Sequence, residues 1–124
     1  MRVFMTKPFL RFARKANLED ATLCNAIADA ERGVVDADLG GGVIKQRVAR
    51  PGQGKSGGFR VMILYKPATR AFFVHGFAKS QRANISQDEL AALKELASEL
   101  LGYDESQIAQ AVASGPLIEV HCNE

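Results

Sequence analysis

A chain of 124 residues that is 47% hydrophobic and 24% charged can bury a core without metals or disulfides and is too apolar to stay disordered, so we expect one domain over residues 1–124. The N-terminal MRVFMTKPF opens no apolar run long enough for a secretory signal or a membrane span, which argues against a membrane partner and makes the cytoplasm the expected location. The net charge of +2 is unevenly spread: nine cations between Leu39 and Gln87 stand without one acid, whereas eight acids from Asp88 onward face the single base Lys94.

In chain order, Val3–Met5 predicts a short strand. Pro8 then sits where a helix begins, with Phe9, Phe12, Ala13 and Ala16 at helical spacing and Arg11, Arg14 and Lys15 on the other side. After Asn17, residues Leu18–Arg32 predict a second helix with Leu23, Ile27 and Ala30 on one stripe, ended by Gly33. Two helices joined so tightly need a sheet to lie on. Cys24 falls in this helical pattern and reads as a small buried apolar residue; a disulfide to Cys122 is left open, with nothing in the spacing to support it.

Residues 33–42, with Asp36, Asp38 and three glycines, read as a turn-rich connection. Val43–Ala49 predicts a strand with Ile44, Gln46 and Val48 on one face and Lys45 and Arg47 on the other, about 7 Å apart from twice a rise of roughly 3.3 Å. A glycine-rich loop, Arg50–Gly58, leads to the strand Phe59–Lys66, a turn at Pro67–Arg70 and the strand Ala71–Phe77, which together predict an antiparallel meander. Ser86 and Glu89 form a capping box for a helix carrying Leu90, Leu93, Leu96, Ala97, Leu100 and Leu101 and ending at Gly102. Asp104 and Gln107 repeat that pattern for a short helix stopped by Gly115-Pro116, and Leu117–Cys122 predicts a last edge strand.

The stretch Ala49 to Ser56, ARPGQGKS, matches a relaxed phosphate-loop pattern, but such a loop must pass from strand to helix so that amides at the helix start cradle phosphates. Here Gly57-Gly58 leads into VMILY, a strand, so we reject nucleotide hydrolysis and read a hairpin loop in which Arg50 and Lys55 can clamp a nucleic-acid backbone. His75 and His121 are the only histidines and neither has a metal-ligand neighbour. His75 is kept as a weak catalytic candidate for its near-neutral titration; His121 reads as surface. The aromatics Phe59, Phe72, Phe73 and Phe77 fall on both faces of their strands and read mainly as core. An acid-free basic sheet suits a polyanion, Arg82 included among its contacts, better than a metal. Chemistry resting on cations fits cleavage of RNA by its own 2′-hydroxyl, because the substrate brings the nucleophile and the protein aligns it and stabilises the phosphorane.

The run KQRVAR from Lys45 to Arg50, GKSGGFR from Gly54 to Arg60, and FFVHGFAKS from Phe72 to Ser80, with Asn84, resembles the RelE-like toxins of bacterial toxin–antitoxin pairs, in the branch that includes HigB-type toxins. The resemblance implies an α+β fold, with two N-terminal helices packed on an antiparallel sheet of three to four strands, followed by a C-terminal helix; residues 103–124 would then be an extension. It implies a ribosome-dependent endoribonuclease that cuts messenger RNA without metal or other cofactor and is silenced by a cognate antitoxin, expected to be a helix-turn-helix protein. Self-association is left open. Carried over by position, Arg60 and Lys79 would stabilise the phosphate and the transition state, Lys45 and Arg47 would align the substrate or move protons, and Arg50 and Lys55 would grip the backbone. Neither Tyr65 nor Tyr103 matches the tyrosine that well-known relatives carry near the C-terminus. The alternatives are a degenerate toxin that only binds, or a gyrase-directed toxin like the related ParE proteins.

Overall fold

The computed structural model describes residues 1–50, 52 and 58–122. Strand β1 (Arg2–Thr6) runs straight into helix α1 (Lys7–Lys15), where the Thr6 hydroxyl accepts the Phe9 N–H, Pro8 occupies the first turn, and Arg14 and Lys15 complement the dipole in the last. Helix α2 (Asp20–Glu31) follows and buries Leu23, Ala26, Ile27 and Ala30. Next come β2 (Ala37–Gly40), β3 (Val43–Val48), β4 (Phe59–Lys66) and β5 (Arg70–Ala78). Helix α3 (Gln87–Leu100) opens on the expected Ser86/Glu89 capping box. Helix α4 (Glu105–Ser114) opens on Asp104/Gln107 and closes at Gly115 in the left-handed region (φ 102°), and β6 (Leu117–Val120) ends the fold.

The six strands lie in the order β2-β3-β4-β5-β1-β6. The meander β3-β4-β5 is antiparallel, as the sequence predicts, but the sheet is larger than the three to four antiparallel strands expected. Three particulars differ. Ala37–Gly40, hidden in what reads as a turn, pairs antiparallel with β3 because the neighbouring strand supplies hydrogen bonds that its own short, glycine-ended sequence does not announce. Strand β1 pairs parallel to β5, and β6 closes antiparallel onto β1. The C-terminal part has two helices, as its two capping boxes predict, where the resemblance implies one, and they lie on the opposite side of the sheet from α1 and α2. One core joins α1 and α2 to Val3, Ile44, Val48, Phe59, Val61, Ile63 and Phe73, and the other joins α3 and α4 to Phe4, Val43, Met62, Leu64 and Phe72. Among the described residues no helix is long and apolar enough to cross a membrane.

Acids of the C-terminal third meet cations from the strands. Glu105 accepts from Arg70 at 2.9 Å and from Arg2 at 3.0 Å, and Glu119 accepts from Arg2 at 3.1 Å, which ties α4 and β6 to the far end of the sheet. Cys24 is not a lone buried thiol: it is disulfide-bonded to Cys122, with 5.6 Å between their Cα atoms. Sequence spacing conceals the pair because the two lie 98 residues apart, and only the return of β6 alongside β1 brings the tail back over α2.

Two stability outcomes follow from this packing. Phe12 of α1 lies so close over Gly76 that an added Cβ would stand 2.4 Å from its ring, so Gly76→Ala should cost about 1–3 kcal/mol in urea denaturation. Cys122→Ala should cost about 2–5 kcal/mol in non-reducing buffer, and a reductant should lower the wild-type melting temperature toward that of the variant without moving the variant's own.

Candidate active site

The face of the sheet under α3 and α4 is divided. Toward one end, Val43, Leu64 and Phe72 are sealed beneath the helices. Toward the other, strand pairing lays out two polar rows. Arg47 stands opposite Arg60, which stands opposite Phe77; Lys45 stands opposite Met62, which stands opposite His75. Alternation along β3 and β4 thus puts Lys45, Arg47 and Arg60 side by side, since partners across a ladder share a face.

Three cations at this spacing repel one another, and the fold meets that cost with one carboxylate from outside the basic run. Asp36, just before β2, accepts from Arg47 Nε at 2.8 Å through Oδ1, and its Oδ2 lies 3.7 Å from Lys45 Nζ and 3.9 Å from Arg60 Nε. The Arg60 side chain is 5% exposed and Lys45 15%, whereas Arg47 is 52% exposed. Arg60 also donates to the Phe59 carbonyl. Asp36 is itself fixed from behind. Its N–H donates to the Gln46 side-chain oxygen at 2.9 Å, while the Gln46 amide donates to the carbonyls of Ala26 and Val34, pinning residues 34–36 to α2.

On β5 a bulge decides which residues reach this face. The register shifts between Met62 and Ile63, so that Phe73 pairs with Ile63 and His75 with Met62, leaving Val74 as the extra residue. Plain alternation would put His75 and Phe77 with Phe73 in the α1 core; the bulge turns both to the basic face. The His75 ring is one-third exposed, its Nε2 lies buried with no hydrogen-bond partner, and Glu89 Oε2 of α3 is 3.7 Å away. Burial pushes its pKa below the usual 6.5, with Glu89 pulling up and Arg82 pushing down. Glu89 is held at about 2 by Arg82 and by the Ser86 N–H of the capping box. Arg82 grips Glu89 through both terminal guanidinium nitrogens, donates to the Asn84 carbonyl through Nε and lies over the Phe77 ring, 5.2 Å from its centroid.

The remaining sequence candidates are spread apart. Lys79 is exposed just past β5, where its N–H donates to the Gly58 carbonyl. Arg50 lies on the other side of the sheet, its guanidinium 5.0 Å from the Phe59 ring centroid and donating to Ser80 Oγ, so it does not join Lys45, Arg47 and Arg60. Lys55 falls outside the described residues. The strands that flank its loop, β3 and β4, are antiparallel, which is hairpin context and not that of a phosphate loop.

A family model described as the RelE toxin of the RelE/RelB toxin–antitoxin system matches residues 1–120. The chain belongs to the RelE toxin family. No curated protein and no solved structure matches it significantly. RelE toxins pair with an antitoxin, so the chain is the toxin member of such a pair.

Within this candidate site, sequence reasoning missed Asp36, Glu89 and Gln46. The basic run contains no acid, yet the fold brings one carboxylate to each side of the basic face. One signal was legible: Gln46 shares a strand face with Ile44 and Val48, and a buried amide must be hydrogen-bonded to something. In an imidazole NMR titration His75 should titrate below 6.5, and Glu89→Gln should move it lower still, because the carboxylate that raises it is gone while Arg82 remains.

Proposed function

We propose that this toxin is a ribosome-dependent endoribonuclease that cuts messenger RNA through the substrate's own 2′-hydroxyl. The observation that carries the reading is the gathering of Lys45, Arg47 and Arg60 around Asp36 on one face of the sheet, with Arg47 half-exposed. A scissile phosphodiester placed beside them carries one negative charge, which becomes two as the phosphorane forms, and fixed cations stabilise the added charge at little reorganisation cost. The 2′-oxygen loses its proton and attacks phosphorus, the bond to the 5′-oxygen breaks as that oxygen takes up a proton, and the products are a 2′,3′-cyclic phosphate and a 5′-hydroxyl. Arg60 and Lys79 are assigned to the phosphate, Lys45 and Arg47 to alignment. His75, whose pKa burial lowers, is the imidazole on this face that we assign to take up the 2′-hydroxyl proton. It stands about 10 Å from Lys45 at the backbone, two strand spacings of roughly 4.8 Å. Long side chains span that distance.

Such an enzyme works in the cytosol, where reductants act on the Cys24–Cys122 bond. The test is a reconstituted translation system with messenger ends mapped after toxin is added. Codon-phased cuts ending in cyclic phosphate are expected, a 2′-deoxy nucleotide at the cut position should block cleavage, and Arg60→Ala should lower kcat about 10²–10³-fold. Intact messenger at high toxin concentration would overturn the reading, and DNA damage beside uncut RNA would point to gyrase instead.

A further inference from the structure

We propose that Asp36 is a positioning residue of the active site: its carboxylate sets where Lys45, Arg47 and Arg60 present their charge. The proposal rests on the endoribonuclease reading for its effect on turnover, and on geometry alone for its effect on the side chains. Arg47 and Arg60 are direct partners across the ladder and Lys45 is two residues from Arg47, so without an anion among them their heads would repel and diverge. Asp36 divides its two oxygens. Oδ1 accepts a hydrogen bond from Arg47 at 2.8 Å, while Oδ2 draws Lys45 and Arg60 to 3.7 and 3.9 Å, near enough for attraction and beyond hydrogen-bond length. The ammonium of Lys45 is thus aimed without being consumed.

The placement is built rather than incidental. Asp36 lies on the connection into β2, the kind of segment that moves most easily, yet Gln46 spends its whole amide on holding that connection against α2. Gln46 is 4% exposed and Asp36's side chain 14%. A surface ion pair has no need of such a support. Its presence on the back of the same strand that carries Lys45 and Arg47 locks the carboxylate and its cations into one rigid unit.

The test compares Asp36→Asn and Asp36→Glu with the wild type on ribosomes programmed with messenger, together with affinity for a 2′-O-methylated messenger that binds but cannot be cut. Asp36→Asn should lower kcat about 10²-fold, the scale expected when reacting groups shift by an ångström. Its affinity for the uncleavable messenger should hold or rise, because a negative charge facing a polyanion has been removed. Asp36→Glu keeps the charge but moves it by one methylene, and should lose about 10-fold in kcat at unchanged affinity. Wild-type kcat in either folded variant overturns the proposal, as does a parallel loss of affinity and turnover, the mark of a merely structural role. Asp36→Glu decides the matter where the amide variant does not fold. An NMR readout separates this proposal from the nuclease reading: the Arg47 Nε–H should give an ordered, exchange-protected signal in the wild type that is lost in Asp36→Asn. If that signal behaves so while the wild type cuts no messenger, the nuclease reading falls and the positioning of the cations stands; an Arg47 signal that is absent in the wild type or unchanged in the variant overturns the positioning itself.

Discussion

Removing a cation from water costs several kcal/mol unless an anion or a set of acceptors is waiting for it, and like charges set across a ladder add to that cost. The basic half of this sheet exists on those terms. Arg60 and Lys45 are largely withdrawn from solvent, and the carboxylate of Asp36 makes their burial beside Arg47 tolerable. On the far side of the same face, Glu89 pairs with the partly exposed Arg82 and stands near His75. The face therefore alternates in charge, acid at each flank and cations between, and its polarity is a property of the fold rather than of any one stretch of chain.

The six-stranded sheet accommodates this by asking different things of its two sides. The side toward α1 and α2 is apolar along almost its whole length, interrupted by Gln46 and by the bare patch at Gly76 into which Phe12 fits. The side toward α3 and α4 is apolar only where those helices cover it. The acidic C-terminal third, which in sequence looks like a counterweight to the basic middle, is partly spent elsewhere: Glu105 and Glu119 serve Arg2 and Arg70, anchoring α4 and β6 at the end of the sheet away from the polar rows.

What could be read from sequence is what local chemistry dictates. The capping boxes at Ser86 and Asp104, the meander β3-β4-β5, and the shared face of Lys45 and Arg47 follow from spacing alone. What could not be read depends on neighbours. Strand β2 is strand only because β3 is beside it; Cys24 is half of a disulfide only because β6 returns along β1; Asp36 is part of the site only because residues 34–36 are pinned by an amide ten positions later. The acid-free basic stretch was a true observation about the chain and a poor guide to the site, since charge density along a sequence does not report charge density in space.

The bulge at Val74 has a further consequence for how this chain is compared with others. It inverts the alternation of β5 halfway along, so that Phe72 and Phe77, five residues apart, share a face that regular strand geometry would deny them. A relative with a regular strand in this place would align only with a one-residue gap inside a central strand, where gaps are ordinarily forbidden. An alignment that refuses the gap would equate His75 with a core position and misassign every residue after it, while leaving the hydrophobic pattern superficially intact.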